Sequence, residues 1–469
     1  MARCTEMNAI NDYPSKVNRR DFLAAASAAS LLGQQTIRCA HGATQNLGVE
    51  VDLPRGRVPL SFIIDDSTCL VNMGRFCMPQ FATALPDRAE YKKPWQTWPV
   101  EIPDSFVREF GSWCAEHDVR GKYSIVPYPA CVGWLDRELP GWSQKQLQES
   151  LQLVRELMVP RWDIHPEMIT HTRVIDLTTG RPKAEISAAT MENSFPQQAI
   201  SVDELTAYLA YALRILKNCD LPCEGITTPG GFGNKVKDLL PIAVFHAVRD
   251  VYGTELPHYF KYVASGEESV LPRFENVQEA KSGSPSLTVN VPAGTGDWFG
   301  GWDGVVESHG ERYANDDASA GRMVELIERR QPAVMLCHWP GLYCNGLLHG
   351  YRDFQKVVVA LEQRFKDQTM WMKISEIGRY WTAKEFTQIE RSGQTIAMTA
   401  PFNCPNFTVQ ITTPKQPEKL LLEQANQSVT LASVSSHPSL AAGKFYRDAE
   451  KLTVCFDLSK GENRLQLVD

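Results

Sequence analysis

Apolar positions along the chain follow two rhythms. Over roughly residues 58–374, short unbroken apolar runs alternate with stretches of helical period. Val58-Pro-Leu-Ser-Phe-Ile-Ile-Asp65-Asp66 is apolar and partly β-branched before its two acids. That is the mark of a strand covered on both faces. Similar runs predict strands over 121–127, 162–165, 224–228, 287–291, 333–338 and 370–374. Between them the spacing predicts helices over 104–117, 143–158, 201–218, 318–330 and 351–365. Ser143 is a candidate N-cap, and Ser201-Val-Asp-Glu204 fits a capping box. The alternation predicts an α/β protein with a parallel sheet. About seven strand–helix units fit an irregular (β/α)7-type barrel. No glycine-rich nucleotide loop follows any of these strands. Near residue 384 the helical period ends. Short β-like runs over 395–399, 407–412, 419–423, 429–433, 452–458 and 463–468 predict a small antiparallel sandwich. Residues 44–384 are thus expected to form the barrel and 385–469 an accessory sandwich.

Residues 1–43 break the pattern. Asn18-Arg19-Arg20-Asp21-Phe22-Leu23 sets paired arginines before an apolar Ala/Ser/Leu stretch, 22–33. The stretch is too short to span a bilayer, and small residues follow at Ala40 and Ala43. This is the pattern of a cleaved twin-arginine signal. It implies export by the twin-arginine translocase to the periplasm or beyond. These residues carry five basic and three acidic side chains, so the net charge moves from −7 to −9 without them. A mildly acidic remainder with no Lys/Arg cluster argues against nucleic acid as a partner. No second apolar run is long enough for a membrane span. The ten later cysteines show no tight disulfide spacing, although Cys219 and Cys223 stand close enough to pair.

Sites in α/β barrels gather at the C-terminal ends of the strands. Polar residues at the expected ends are Asp65 and Asp66, His165 and His171, the turn holding Thr228 and Gly230, Asp297, and His338. Adjacent carboxylates can split roles, because successive side chains point in different directions. Two imidazoles and one carboxylate suit a divalent metal, zinc by ligand type, with positions left open for water and substrate. His338 could protonate a leaving group. Trp298, Trp302 and Trp339 stand beside these residues and could stack on sugar rings.

Ser61-Phe-Ile-Ile-Asp65-Asp66 resembles the first motif of the polysaccharide deacetylase family, a strand closing on two aspartates. Gly296-Asp297-Trp298 resembles its Asp-Trp motif. Val334-Met-Leu-Cys-His338 followed by Met372-Lys-Ile-Ser-Glu376-Ile resembles its closing segment. The resemblance runs roughly from residue 58 to 380. It implies a metal-dependent hydrolase removing N- or O-acetyl groups from an extracellular polysaccharide. Asp65 would be the base, Asp66, His165 and His171 the metal ligands, Asp297 the support of the base, and His338 the acid. The family spaces its histidine pair by four, whereas His165 and His171 are six apart. The turn Thr227-Thr228-Pro229-Gly230-Gly231 carries no arginine before its proline. Two rival readings follow. One is a non-catalytic carbohydrate-binding protein on the same barrel. The other is a glycoside hydrolase using paired carboxylates such as Asp65 and Glu167.

Overall fold

The structure is a computed structural model describing residues 48–278, 285–414, 417–425, 427–449 and 451–469. The twin-arginine signal expected over residues 1–43 lies outside them. The expected barrel and sandwich are both present. Seven parallel strands build the barrel: β1 (Val58–Asp65), β2 (Gly121–Ile125), β3 (Trp162–Pro166), β4 (Gly225–Thr227), β5 (His258–Phe260), β6 (Ser286–Asn290) and β7 (Ala333–His338). β7, β1, β2 and β3 pair side by side, as do β4, β5 and β6. Two single parallel bridges close the ring. Glu167 meets Thr227, and Asp297 meets Leu336. Every residue of β1 is buried, which is why its run is almost continuously apolar. β2 must begin with glycine: a Cβ on Gly121 would stand 1.9 Å from the Phe62 carbonyl oxygen.

Ser143 caps its helix as expected, and does so in a full capping box with Gln146, while the capping box expected at Ser201 forms with Glu204. Helices Met73–Ala84, Leu240–Tyr252 and Ile374–Phe386 were not legible from periodicity. Leu240–Tyr252 opens on the apolar run Leu240–Phe245 and shows its polar face, His246, Arg249 and Asp250, only in its second half, so the run reads equally as a buried strand. β5 is three residues long and leaves no alternation to read. The expected strand over 370–374 is realised as Thr369–Trp371, and Ile374 already opens a helix.

The sandwich packs two five-stranded sheets. Ile396, Met398, Leu465 and Leu467 are buried on one, Val409, Ile411, Val454 and Phe456 on the other. Strand Val49–Val51, which precedes the barrel in the chain, pairs antiparallel with Cys404–Thr412 of the sandwich. Tyr380 ties the two parts. Its hydroxyl donates to the Asp52 carbonyl at 2.9 Å and accepts the Thr408 N–H at 3.2 Å. The ten cysteines from Cys69 to Cys455 are free thiols, Cys219 and Cys223 among them. Among the described residues no helix is long and apolar enough to cross a membrane.

Candidate functional site

Register places the first pair of groups. His338, the last residue of β7, is the neighbour of Asp65, the last residue of β1. Asp66 follows in the left-handed region (φ 57°), which aspartate tolerates better than most residues. Its N–H donates to Glu167 Oε2 at 2.7 Å. His171, also left-handed (φ 62°), brings Nε2 to 2.8 Å from Asp66 Oδ1 and 3.5 Å from Glu167 Oε1. One donor atom each from Asp66, Glu167 and His171 lies within 4.8 Å of the others. Asp66 Oδ1 and His171 Nδ1 are buried without a hydrogen-bond partner. The Asp66–His171 approach therefore has the distance of a hydrogen bond without its geometry. Such convergence suits donors facing a common cation. Burial opposes charging His171, but the Asp66 carboxylate prevails and holds its pKa well above the usual value. The cluster thus favours one positive charge, which a cation would supply equally.

Beside the triad, Asp65 is almost wholly buried and in contact with the ammonium of Lys122. Lys122 has no exposure to solvent, and it also donates to Ser124 Oγ at 2.7 Å and the Ile64 carbonyl at 3.2 Å. Burial, with Glu167 adding to it, pushes the Asp65 carboxyl up, while Lys122 and His338 pull it back. Across the mouth, His338 Nδ1 lies 2.7 Å from Asp297 Oδ2. Burial disfavours its charge, but the bond to Asp297 and the charges of Asp66, Asp297 and Asp65 push its pKa up to about 10. It is therefore an imidazolium at neutral pH.

The structure brings Asp65, Asp66, His171, Asp297 and His338 together and leaves His165 apart. Residues i and i+2 of a strand share a face, so His165 and Glu167 point the same way, with His165 deeper in the barrel. There His165 Nε2 lies 2.8 Å from His258 Nε2 and its Nδ1 3.3 Å from Thr227 Oγ1. Glu167, four residues before His171, fills the place expected for His165. That four-residue spacing was the signal that could have revealed it. Asp297 supports His338, whereas the support of Asp65 is Lys122, hidden in the sequence inside a buried strand. Trp339 is fully buried against Phe106 and Phe110, so it cannot line a groove. Trp298 is half-buried under the Arg312 guanidinium, 4.3 Å from its ring centre. Thr228 is buried, its N–H donating to the Phe260 carbonyl, and Gly230 is exposed on the turn.

Trp302 is half-buried and belongs to a wall the sequence did not reveal. Phe81 stacks on Tyr91 at 5.2 Å, meets Trp302 edge-on at 5.5 Å, and meets the His171 ring at 6.3 Å. Tyr91 and Trp302, 5.9 Å apart, are the half-buried members. A cavity of about 770 Å³ lies elsewhere, lined by Arg120, Asp163, Trp371 and Arg379 among others. None of the clustered acids or imidazoles lines it. The chemistry therefore belongs to the strand ends rather than to that cavity.

No family model matches the chain, and no curated protein matches it. Among solved structures it is similar to three carbohydrate-cleaving enzymes. One is a Thermotoga maritima alpha-fucosidase in complex with fucose, at 9% identity over 88% of this chain and 97% of that one, TM-score 0.30. Another is the catalytic domain of the GH30 xylanase C from Talaromyces cellulolyticus, at 7% identity over 90% and 100%, TM-score 0.27. The third is the endo-beta1,6-glucanase BT3312, at 8% identity over 90% and 94%, TM-score 0.24. Likenesses this slight carry no argument about mechanism. The polysaccharide deacetylase resemblance is nonetheless corrected. No family model matches, and His165 faces His258 rather than joining Asp66 and His171. The family assignment falls, and with it the removal of acetyl groups.

Proposed function

We propose that this chain is a hydrolase that cleaves a glycosidic bond at the mouth of its barrel. The observation that carries the reading is the setting of an acid–base pair, Asp65 and His338, beside the aromatic wall of Phe81, Tyr91 and Trp302. Aromatic faces take the apolar face of a sugar ring, and half-buried Tyr91 and Trp302 are placed to do so. Asp65, held by Lys122, takes a proton from water as that water attacks the anomeric carbon. His338, held by Asp297, gives its proton to the leaving oxygen as the carbon–oxygen bond breaks. The products are a new reducing end and a free hydroxyl. Glu167, the partner first considered for Asp65, is occupied by the Asp66 N–H and lies beside His171. Asp66, Glu167 and His171 are proposed to hold a divalent cation, which would draw in sugar hydroxyls and offset nearby negative charge. Two carboxylates and one imidazole are a harder donor set than the two imidazoles and one carboxylate expected, so selectivity for zinc over manganese or calcium is weaker.

The test is incubation of the full chain with a panel of polysaccharides while reducing ends and released acyl groups are both measured. New reducing ends are expected, with rates falling about 10²–10⁴-fold in Asp65→Asn and in His338→Asn. Acyl release without reducing ends would overturn the reading, and so would glycan binding with neither product. Elemental analysis is expected to find a divalent metal in the wild type and to lose it in His171→Ala. A folded wild type that takes up no metal would sink the cation part alone.

A further inference from the structure

Glu192 takes no part in the chemistry above, yet it is fully buried below the loop that carries His171. Its Oε1 accepts the Ile169 N–H at 3.0 Å and the Tyr208 hydroxyl at 2.5 Å. Its Oε2 accepts the Thr170 N–H at 2.8 Å, the His171 N–H at 2.5 Å and the Thr170 hydroxyl at 3.3 Å. Backbone pairing delivers the carboxylate to this place. Residues 190–192 run against 172–174, with the Val174 N–H donating to the Thr190 carbonyl at 2.9 Å and the Glu192 N–H to the Thr172 carbonyl at 2.5 Å. Met191 and Arg173 form an antiparallel bridge between those bonds.

Loop 167–172 needs such an anchor. Met168 and His171 both hold left-handed backbone, which non-glycine residues keep only where their surroundings fix it. Three consecutive N–H groups, at 169, 170 and 171, point to one side and find their acceptors in a single carboxylate. Without it they would be buried donors with no partner.

We infer that Glu192 is the positioning residue of the triad: its carboxylate gathers these N–H groups and so fixes His171 within reach of Asp66 and Glu167. This rests on the reading of Asp66, Glu167 and His171 as cation ligands. A carboxylate suits the task because both its oxygens accept. In Glu192→Gln one oxygen becomes an amide NH₂, which would face N–H donors.

Two measurements on the full chain separate this inference from that reading. The first is Co²⁺ titration followed by visible absorption. Wild type is expected to develop a bound-cobalt spectrum, and Glu192→Gln to bind about tenfold to hundredfold more weakly with a changed spectrum. Tyr208→Phe, which removes one bond to Glu192 but none from the loop backbone, is expected to keep both. The second is amide hydrogen exchange with no metal present. In Glu192→Gln the amides of residues 169–171 are expected to exchange faster, while those of β1 stay protected. A folded Glu192→Gln with wild-type cobalt affinity and wild-type exchange at 169–171 would overturn the inference. If Glu192→Gln does not fold, Glu192→Asp, which keeps the carboxylate but draws it back by one methylene, serves in its place. Unchanged exchange there would overturn the inference, and faster exchange would support it. A wild type that binds no cobalt would refute the cation reading, and exchange would then decide the role of Glu192 by itself.

Discussion

His338 shows how little sequence distance says about electrostatics. Asp297 is far from it along the chain, yet their side chains meet at 2.7 Å. Burial works against the imidazolium, and the bond to Asp297 with the surrounding carboxylates overrides it to about pH 10. A proton donor works in its protonated form. Hydrolysis is therefore expected to hold its rate through neutral pH and to fall as pH rises past about 10. In Asp297→Asn the alkaline limb of the kcat/KM profile should move to lower pH, since the neighbouring negative charge and its hydrogen bond are lost. At this scale the sequence was readable wherever a polar residue closed an apolar run, as at Asp65, Asp66 and His338. Glu167, read only as a catalytic carboxylate beside Asp65, escaped as a ligand because a histidine two residues earlier, on the same side of the strand, looked like the better one. Lys122 escaped because a cation within a buried strand has no sequence signature until its partner is known.

Elements carry their own chemistry below the mouth. His165 on β3 and His258 on β5 face each other at 2.8 Å, both fully or nearly fully buried. Burial lowers His258 from 6.5 to about 4, and burial with the His258 and Lys122 charges lowers His165 in the same direction. Both are neutral in the fold, while the unfolded chain takes up protons below about 6.5. The fold's advantage is thus present above pH 6.5 and is lost as pH falls toward 4. His258 accounts for about 3 kcal/mol of that loss. Urea midpoints measured at pH 7 and pH 4.5 should show the drop, and His258→Gln should flatten it. β2 offers a second test. Gly121→Ala forces a methyl onto the Phe62 carbonyl and should cost at least about 1–3 kcal/mol, seen as a lower thermal midpoint or as insoluble protein. Long elements with one clean period were legible, as over 201–218. β5, three residues long, leaves no period to read, and Leu240–Tyr252 opens on an unbroken apolar run that reads equally as a buried strand.

At the scale of the molecule, two rhythms in the apolar pattern foretold a barrel and a sandwich, and both are there. The pattern did not show how they join, because strand pairing between distant segments leaves no local trace. Val49–Val51 belongs to the sandwich, Tyr380 bonds to both parts, and the Arg55 N–H donates to Thr408 Oγ1 at 2.8 Å. Deleting residues 385–469 is therefore expected to give aggregated protein rather than an isolated barrel, checked by soluble yield and far-UV circular dichroism. The same junction sets an order of events. Arg55 and Thr408 stand 353 positions apart. At about 5–20 residues per second, synthesis between them takes on the order of tens of seconds. For that interval the first strand has no partner to pair with, however early the barrel closes. Completion of the fold is thus timed by the synthesis of the sandwich, and a chain stalled before residue 404 is left with an open edge.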